Sequence, residues 1–391
     1  MKRITLKTCL IMLFVFLAAG IQCVAAEDIA PTVVINGIPV EFDVPPVIEN
    51  GRTLIPVRAV SEKLEYDVFW DEVNSRVEII NGDEKLELFV GKQGYLKNGE
   101  EKQMDVAATI TNGRTLVPLR LIAEEFGCTV RWLPEEFTAE IVKHETVTVT
   151  NAKEFLEAIG SYKRIILKDG EYNLSKVEER LSSDKLATLE TFDGNEYMIF
   201  EATELIIEGA PGETATIVVE PRYANVLTFM YCDNITLKNI TAGHTIEPGF
   251  CLGGVLKFED SADVSVDNCR LYGCGTYGIT TVNSVGLNVT NTEIYECTYG
   301  LVEIIQSQDV FFDKCIFRDS KEFSMFSISD SSNVGIYNST VKNNESGEYS
   351  SLINSYNSQK VHFKNCEFKN NSYLEFAPDN VYFENCEGVP N

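Results

Sequence analysis

From residue 235 onward the chain repeats one short pattern of apolar and polar positions. Val264-Ser-Val-Asp-Asn-Cys269 recurs as Leu287-Asn-Val-Thr-Asn-Thr292, Val310-Phe-Phe-Asp-Lys-Cys315, Val334-Gly-Ile-Tyr-Asn-Ser339, Val361-His-Phe-Lys-Asn-Cys366 and Val381-Tyr-Phe-Glu-Asn-Cys386. Ile235–Ile240 is an earlier copy, and Leu205–Ala210 and Ile165–Gly170 fit more loosely. Successive copies from 235 start 29, 23, 23, 24, 27 and 20 residues apart. The first and third positions are apolar and the second and fourth mostly polar, which predicts short strands with one face inward. The fifth position is Asn at 239, 268, 291, 338, 365 and 385, and Lys at 314. Asn tolerates left-handed backbone, so it suits a tight bend, and stacked Asn side chains can hydrogen-bond at a spacing of about 4.8 Å. A second inward pair precedes each hexamer by eight and six residues, as in Leu227/Phe229, Leu256/Phe258, Ile279/Thr281, Val302/Ile304, Phe326/Ile328 and Ile353/Ser355, with Leu374/Phe376 assigned to the last coil. Such coils predict a right-handed, single-stranded parallel β-helix over 147–391, a solenoid. Asn151–Ile159, with Phe155 and Ile159 four apart, predicts a helix capping its open end.

A different repeat occupies 31–144. Asn50-Gly-Arg-Thr-Leu-Ile-Pro-Val-Arg58 returns 62 residues later as Asn112-Gly-Arg-Thr-Leu-Val-Pro-Leu-Arg120, and the same offset relates Asn36-Gly37 to Asn98-Gly99 and Trp70 to Trp132. The Asn-Gly pairs predict type I′ hairpin turns. Val60 and Leu64, four apart, predict a short helix after Pro56. Asp67–Trp70 and Arg76–Ile80 predict strands around an Asn74-Ser75 turn. Each copy thus reads as a small α+β module, and the whole chain as mainly β. Arg58 and Arg120 read as ion-pair or packing residues where the copies meet.

The first residues form a third segment. Lys2, Arg3 and Lys7 precede an apolar run from Cys9 to Gly20, followed by Val24-Ala25-Ala26. A basic, then apolar, then small-residue order predicts a signal peptide over 1–26 and an exported protein, secreted or held at the cell surface. No later segment is apolar enough to span a bilayer, so no membrane span is expected after cleavage. The chain has 59 Asp+Glu, 33 Lys+Arg and a formal net charge of −26, which excludes nucleic-acid binding through phosphate neutralisation.

Two resemblances follow from these motifs. The tandem Asn-Gly-Arg-Thr-Leu segment resembles the copper amine oxidase N-terminal-like stalk domain. That family's copper lies in a different domain, and this span offers only His144 and Cys128, so no copper site is expected. The repetitive half resembles the pectin lyase-like β-helix superfamily, which implies binding or processing of an extracellular or cell-wall polysaccharide. The Ca²⁺-binding carboxylate cluster of pectate lyases and the Gly-His-Gly and Arg-x-Lys motifs of polygalacturonase-like enzymes are missing, so no catalytic residue transfers.

The cysteines follow the repeat. Cys269, Cys315, Cys366 and Cys386 share the sixth position, and Cys274 and Cys297 another, which predicts mostly free, buried thiols. Cys366–Cys386 and Cys274–Cys297, one coil apart, are within reach of a disulfide.

Candidate chemistry falls in two places. Residues between the paired inward positions form an outward row of Thr228, Lys257, Thr280, Glu303, Ser327 and Asn354. It contains one acid and one base two coils apart. The long coil at 241–254 gathers His244, Glu247, Cys251 and four glycines, and Tyr272 and Tyr277 on the next coil offer sugar-stacking rings beside it. His244 and Glu247 read either as a binding or acid/base pair, or as a structural insert satisfying its own backbone. No metal or other cofactor is expected. Ca²⁺ between Asp267 and Asp313 would need a further ligand near Thr290. Two functions remain open: a polysaccharide-binding or polysaccharide-processing protein, as a lyase or glycoside hydrolase, and a non-catalytic adhesive surface protein with the stalk as spacer or wall attachment.

Overall fold

The computed structural model describes residues 30–177, 181–247, 249, 252–273 and 275–390. The signal-peptide segment, Cys251 and Cys274 lie outside them. The chain divides into two units, one ending at Lys143 and one beginning at His144.

In the first unit, the first repeat supplies β1 (Thr32–Ile35), β2 (Ile38–Pro39), β3 (Val47–Glu49), β4 (Arg52–Pro56), helix α1 (Val57–Lys63), β5 (Asp67–Asp71), β6 (Arg76–Asn81) and β7 (Glu84–Phe89). The second supplies β8 (Gly94–Lys97), β9 (Glu100–Gln103), β10 (Thr109–Thr111), β11 (Arg114–Pro118), α2 (Leu119–Glu125), β12 (Thr129–Leu133) and β13 (Thr138–Val142). The four Asn-Gly pairs related by the 62-residue offset place both residues at positive φ, with Asn36, Asn50, Asn98 and Asn112 between 48° and 53°.

The copies do not form separate modules. The β1–β2 hairpin of the first copy joins β12 and β13 of the second, and the β8–β9 hairpin of the second extends the β5–β6–β7 sheet of the first. Strands β4 and β11 pair antiparallel with Ile55 opposite Val117, residues equivalent at the 62-residue offset. A local twofold axis therefore passes between them. Arg52 reaches Asp105 (2.6 Å) and Arg114 reaches Asp43 (2.7 Å), the same contact made twice in opposite senses. Tyr66 and Cys128, again equivalent, meet with Oη and Sγ 3.6 Å apart. One core takes Ile55, Val60, Leu64 and Tyr66 from one copy with Val117, Ile122, Phe126 and Cys128 from the other. Neither copy could bury its apolar face alone. Arg58 and Arg120 are not at this interface: each pairs within its own helix, with Glu62 (3.7 Å) and Glu124 (3.4 Å), on the exposed face.

The second unit is a right-handed parallel β-helix of three sheets, with ten, eight and eight strands. The hexamers form the ten-stranded sheet, from Glu145–Val149 to Val381–Glu384. A second sheet runs from Gly170–Asn173 to Glu367–Lys369, and a third from Leu186–Glu190 to Ile353–Tyr356. Strands of the second sheet, such as Arg270–Tyr272 and Glu293–Tyr295, bury only one residue each, here Leu271 and Ile294. Three residues with one inward side chain give no alternation, which is why the hydrophobic pattern reveals two strands per coil rather than three.

The bend after each hexamer is left-handed as its Asn residues predict, and Lys314 adopts the same conformation at φ 54°. Asn268 donates to Asn239 (2.9 Å) and Asn365 to Asn338 (3.0 Å), but between them the ladder shifts to the preceding aspartates: Asn291 donates to Asp267 (2.8 Å) and, beyond Lys314, Asn338 to Asp313 (2.6 Å). At the bend before each hexamer, Tyr231, Asp260, Asn283, Gln306, Asp330 and Asn357 are also left-handed. The buried residues after them are Cys232, Ser261, Ser284, Ser307, Ser331 and Ser358. The backbone N–H of each of the first five donates to the hydroxyl of the next coil at 3.0–3.1 Å. Each hydroxyl donates to a carbonyl two residues back at 2.7–2.9 Å. This serine ladder satisfies buried donors that would otherwise cost about 1–3 kcal/mol each.

Cys269, Cys297, Cys315 and Cys366 are buried free thiols, and burial pushes the first three up to about 12. Cys366 and Cys386 are not bridged; the Cys366 N–H donates to the Cys386 sulfur at 3.4 Å. Leu374 is exposed rather than inward, because the last coil forms no third-sheet strand there. The predicted helix forms over Ala152–Ala158, and the structure adds an N-terminal capping box that starts it: Asn151 Oδ1 accepts the Glu154 N–H at 3.0 Å, and Glu154 accepts the Thr150 N–H at 2.8 Å.

Candidate functional site

The outward row lies on the third sheet. Backbone register aligns Met198, Thr228, Lys257, Thr280, Glu303, Ser327 and Asn354 on consecutive strands. From Lys257 to Asn354 one polar residue therefore occupies each rung, about 4.8 Å apart. Thr228 is buried, and its hydroxyl donates to Glu196 at 2.6 Å, while Glu196 also accepts from Asn225. Thr228 thus belongs to a closed structural network, and Glu196, outside the repeat pattern, anchors it.

The centre of the row is more open. Lys257 pairs with Glu259 on its own strand at 2.7 Å. Thr280 donates to Glu303 at 3.4 Å. Burial holds the Glu303 carboxyl above the usual range, against the Thr280 hydrogen bond and the Lys257 charge, which act the other way. Tyr277 adds a ring to this group. Its hydroxyl hydrogen-bonds Ser327, and burial, with Glu303 nearby, pushes it up to about 12. Gly300 leaves room for that ring, since a Cβ there would lie 2.6 Å from Tyr277 Cε1.

The four residues expected around the long coil do not assemble. His244 ends a second-sheet strand, only 3% exposed, with Nε2 3.0 Å from the Ala224 carbonyl oxygen. Burial lowers its pKa, so the neutral ring is favoured. Glu247 is exposed on the loop beyond. Tyr272 sits on the second sheet, one face against Gly243 and the other stacked on Tyr295 at 5.7 Å. Tyr295 is in turn covered by the Arg318 guanidinium at 4.1 Å. With its faces occupied, the Tyr272 ring offers no flat surface to a sugar, and Tyr277, five residues on, has turned the corner onto the Glu303 row.

Asp267 accepts from Thr290 (2.6 Å) and Asn291 (2.8 Å), which hold its carboxyl low, while Asp313 accepts from Asn338. One oxygen of each carboxylate considered for Ca²⁺, Asp267 Oδ1 and Asp313 Oδ1, is therefore engaged with side-chain donors. No group of three or more His, Cys, Asp or Glu with metal-binding geometry occurs among the described residues. No helix among them is long and apolar enough to cross a membrane.

No protein of curated function matches the sequence. Solved structures with a similar fold include pectate lyase pelN from Paenibacillus sp. 0602, at 8% identity over 57% of this chain and 70% of that one, TM-score 0.43. Pectate lyase Bsp165PelA from Bacillus sp. N165, in complex with trigalacturonate, matches at 10% identity over 63% and 83%, TM-score 0.43. PfbA, a surface adhesin of Streptococcus pneumoniae, matches at 10% over 61% and 76%, TM-score 0.37. Family models match two segments: residues 34–141 as a copper amine oxidase N-terminal domain and residues 227–387 as a right-handed beta helix region. The chain therefore joins a copper amine oxidase N-terminal-type unit to a right-handed parallel β-helix.

Proposed function

We propose that this is an exported or cell-surface protein whose β-helix binds an extracellular or cell-wall polysaccharide along the third sheet, without cleaving it. The row Lys257, Thr280, Glu303, Ser327 with Tyr277 carries the reading. A glycan laid along the helix axis meets one donor or acceptor per rung, with Tyr277 at the side. Export is supported by the basic, apolar and small-residue order of the first 26 residues. The backbone spacing of the acids on this face is wider than the carboxylate pair of about 5 Å that a retaining hydrolase uses. Glu259 and Glu303 stand two rungs apart, about 9.6 Å between strands, and two residues out of line.

One observation favours the catalytic alternative, a lyase or glycoside hydrolase: Glu303 is held toward its protonated form, as a general acid requires. A polysaccharide array decides between them when read for binding and for release of reducing or unsaturated ends. Binding without products, weakened about tenfold or more by Lys257→Ala or Glu303→Gln, supports the proposal. Product release abolished by Glu303→Gln establishes the enzyme instead, and absence of any bound glycan overturns both.

A further inference from the structure

The two copies in the first unit are related by a twofold, so each surface feature of one has a counterpart in the other. One pair of counterparts differs sharply. A groove of about 1070 Å³ runs between the edge strand β5 and the segment Pro39–Asp43, floored by α1. The equivalent positions of the other copy carry larger or charge-paired side chains. Leu121 replaces Ala59, and Lys102 and Glu125, paired at 3.0 Å, replace Val40 and Lys63. Phe137 packs edge-on against Trp132, where Ser75 stands beside Trp70.

The edge strands differ in the same way. Both β5 and β12 end their sheets, leaving one backbone edge outside the ladder. Strand β12 carries Arg131, paired with Glu140 at 2.8 Å, a charge of the kind that guards an edge against further pairing. Strand β5 carries Phe69 instead, 53% exposed, with Val73 beyond it at 93%, while the equivalent Trp70 and Trp132 are alike at 42% and 39%. A bare apolar edge beside an open groove is the geometry that accepts an added strand.

We propose that β5 and its groove bind an extended peptide segment of a partner protein as a sixth strand, with an apolar centre flanked by Lys or Arg. Charge selects this occupant. Asp67 and Asp71 bracket Phe69 on the outward face, with Glu72 next to them; Arg76 is shared among Asp71, Glu78 and Glu87, so this face keeps an excess of acids. A second copy pairing antiparallel about Phe69 would set Asp67 against Asp71, like charge on like charge, whereas basic flanks meet both. The groove lining itself is balanced, with Glu41, Asp43 and Glu62 against Arg58, Lys63 and Arg114, so it selects for the apolar centre rather than for charge.

The test presents a random twelve-residue peptide library to the full chain and to Phe69→Arg, which installs the residue found at position 131. Expected are peptides of alternating apolar residues with basic flanks. Their affinity falls roughly tenfold or more in Phe69→Arg, and also when alternate peptide nitrogens are methylated, since strand addition uses backbone N–H groups. An unchanged melting temperature shows that the variant is folded, and Trp70→Ala gives an independent check. Selected peptides indifferent to Phe69→Arg and to methylation overturn the proposal. So does concentration-dependent self-association of the wild type that Phe69→Arg abolishes, or a glycan that competes for the groove.

Discussion

The first unit and the β-helix are both written as sequence repeats, yet equivalent residues meet in opposite ways. In the β-helix the copies are related by translation, so each residue stacks on its own counterpart: Asn268 on Asn239, Ser284 on Ser261. In the first unit they are related by rotation, so counterparts meet only at the axis, as Ile55 with Val117 and Tyr66 with Cys128. Everywhere else, unlike residues meet twice, as Arg52 with Asp105 and Arg114 with Asp43. Translation rewards self-complementary side chains such as Asn, Ser and buried aliphatics. Rotation rewards complementary pairs, and it leaves the two copies free to diverge wherever they do not touch.

The largest blow to the translational half is a cavity in its stack. Phe312 is fully buried and packs edge-on against Phe317 at 5.7 Å. Phe312→Ala is expected to cost about 3–5 kcal/mol, read by urea unfolding of the whole chain. A cost below about 1 kcal/mol would mean that neighbouring coils close the gap.

The serine ladder is a smaller target. Ser307→Ala leaves the buried Ser284 N–H without its acceptor and is expected to cost about 1–3 kcal/mol. Ser307→Thr retains the hydroxyl, as Thr292 does at the other bend, and should recover part of the loss if hydrogen bonding rather than size sets the cost.

His244 gives the β-helix a pH dependence. Its folded pKa is lowered, so the unfolded chain takes up the proton first, near 6.5. Stability from this group is therefore complete above that pH, declines as pH falls below it, and levels off once the folded ring also protonates. His244→Asn should flatten that part of a pH–stability curve, and an unchanged slope would place the dependence elsewhere.

The smallest effect is expected at the rotational interface. Arg52→Ala and Arg114→Ala break equivalent exposed ion pairs and should produce small, equal shifts in melting temperature that vanish in high salt. Unequal shifts would show that the twofold is broken in energy as well as in sequence.

Legibility followed the same division. Hexamer spacing, inward pairs and left-handed bends were readable because translation repeats each environment at one period. The second sheet was not, since Leu271 or Ile294 alone gives no alternation. The Glu303 row is readable from strand parity, but not that Tyr277, which lies beside Gly254 of the long coil as expected, also turns its hydroxyl to Ser327 of that row. A corner lies between Tyr272 and Tyr277, and residue spacing carries no sign of which way a chain turns. His244 looked available for chemistry because glycines surround it, and only packing shows the ring turned inward to the Ala224 carbonyl.

The sequence by itself determined that there are two kinds of repeat, what their periods are, and which residues of the solenoid face inward. Local bends and strand alternation are set by neighbouring residues, and those are all present in the chain. The tertiary structure alone decided that the two 62-residue copies exchange hairpins about a twofold, which aromatic rings stay bare, and which polar groups share a face. Those outcomes depend on which distant surfaces meet, and the same 62-residue offset is compatible with rotation or translation until burial of the shared core selects one.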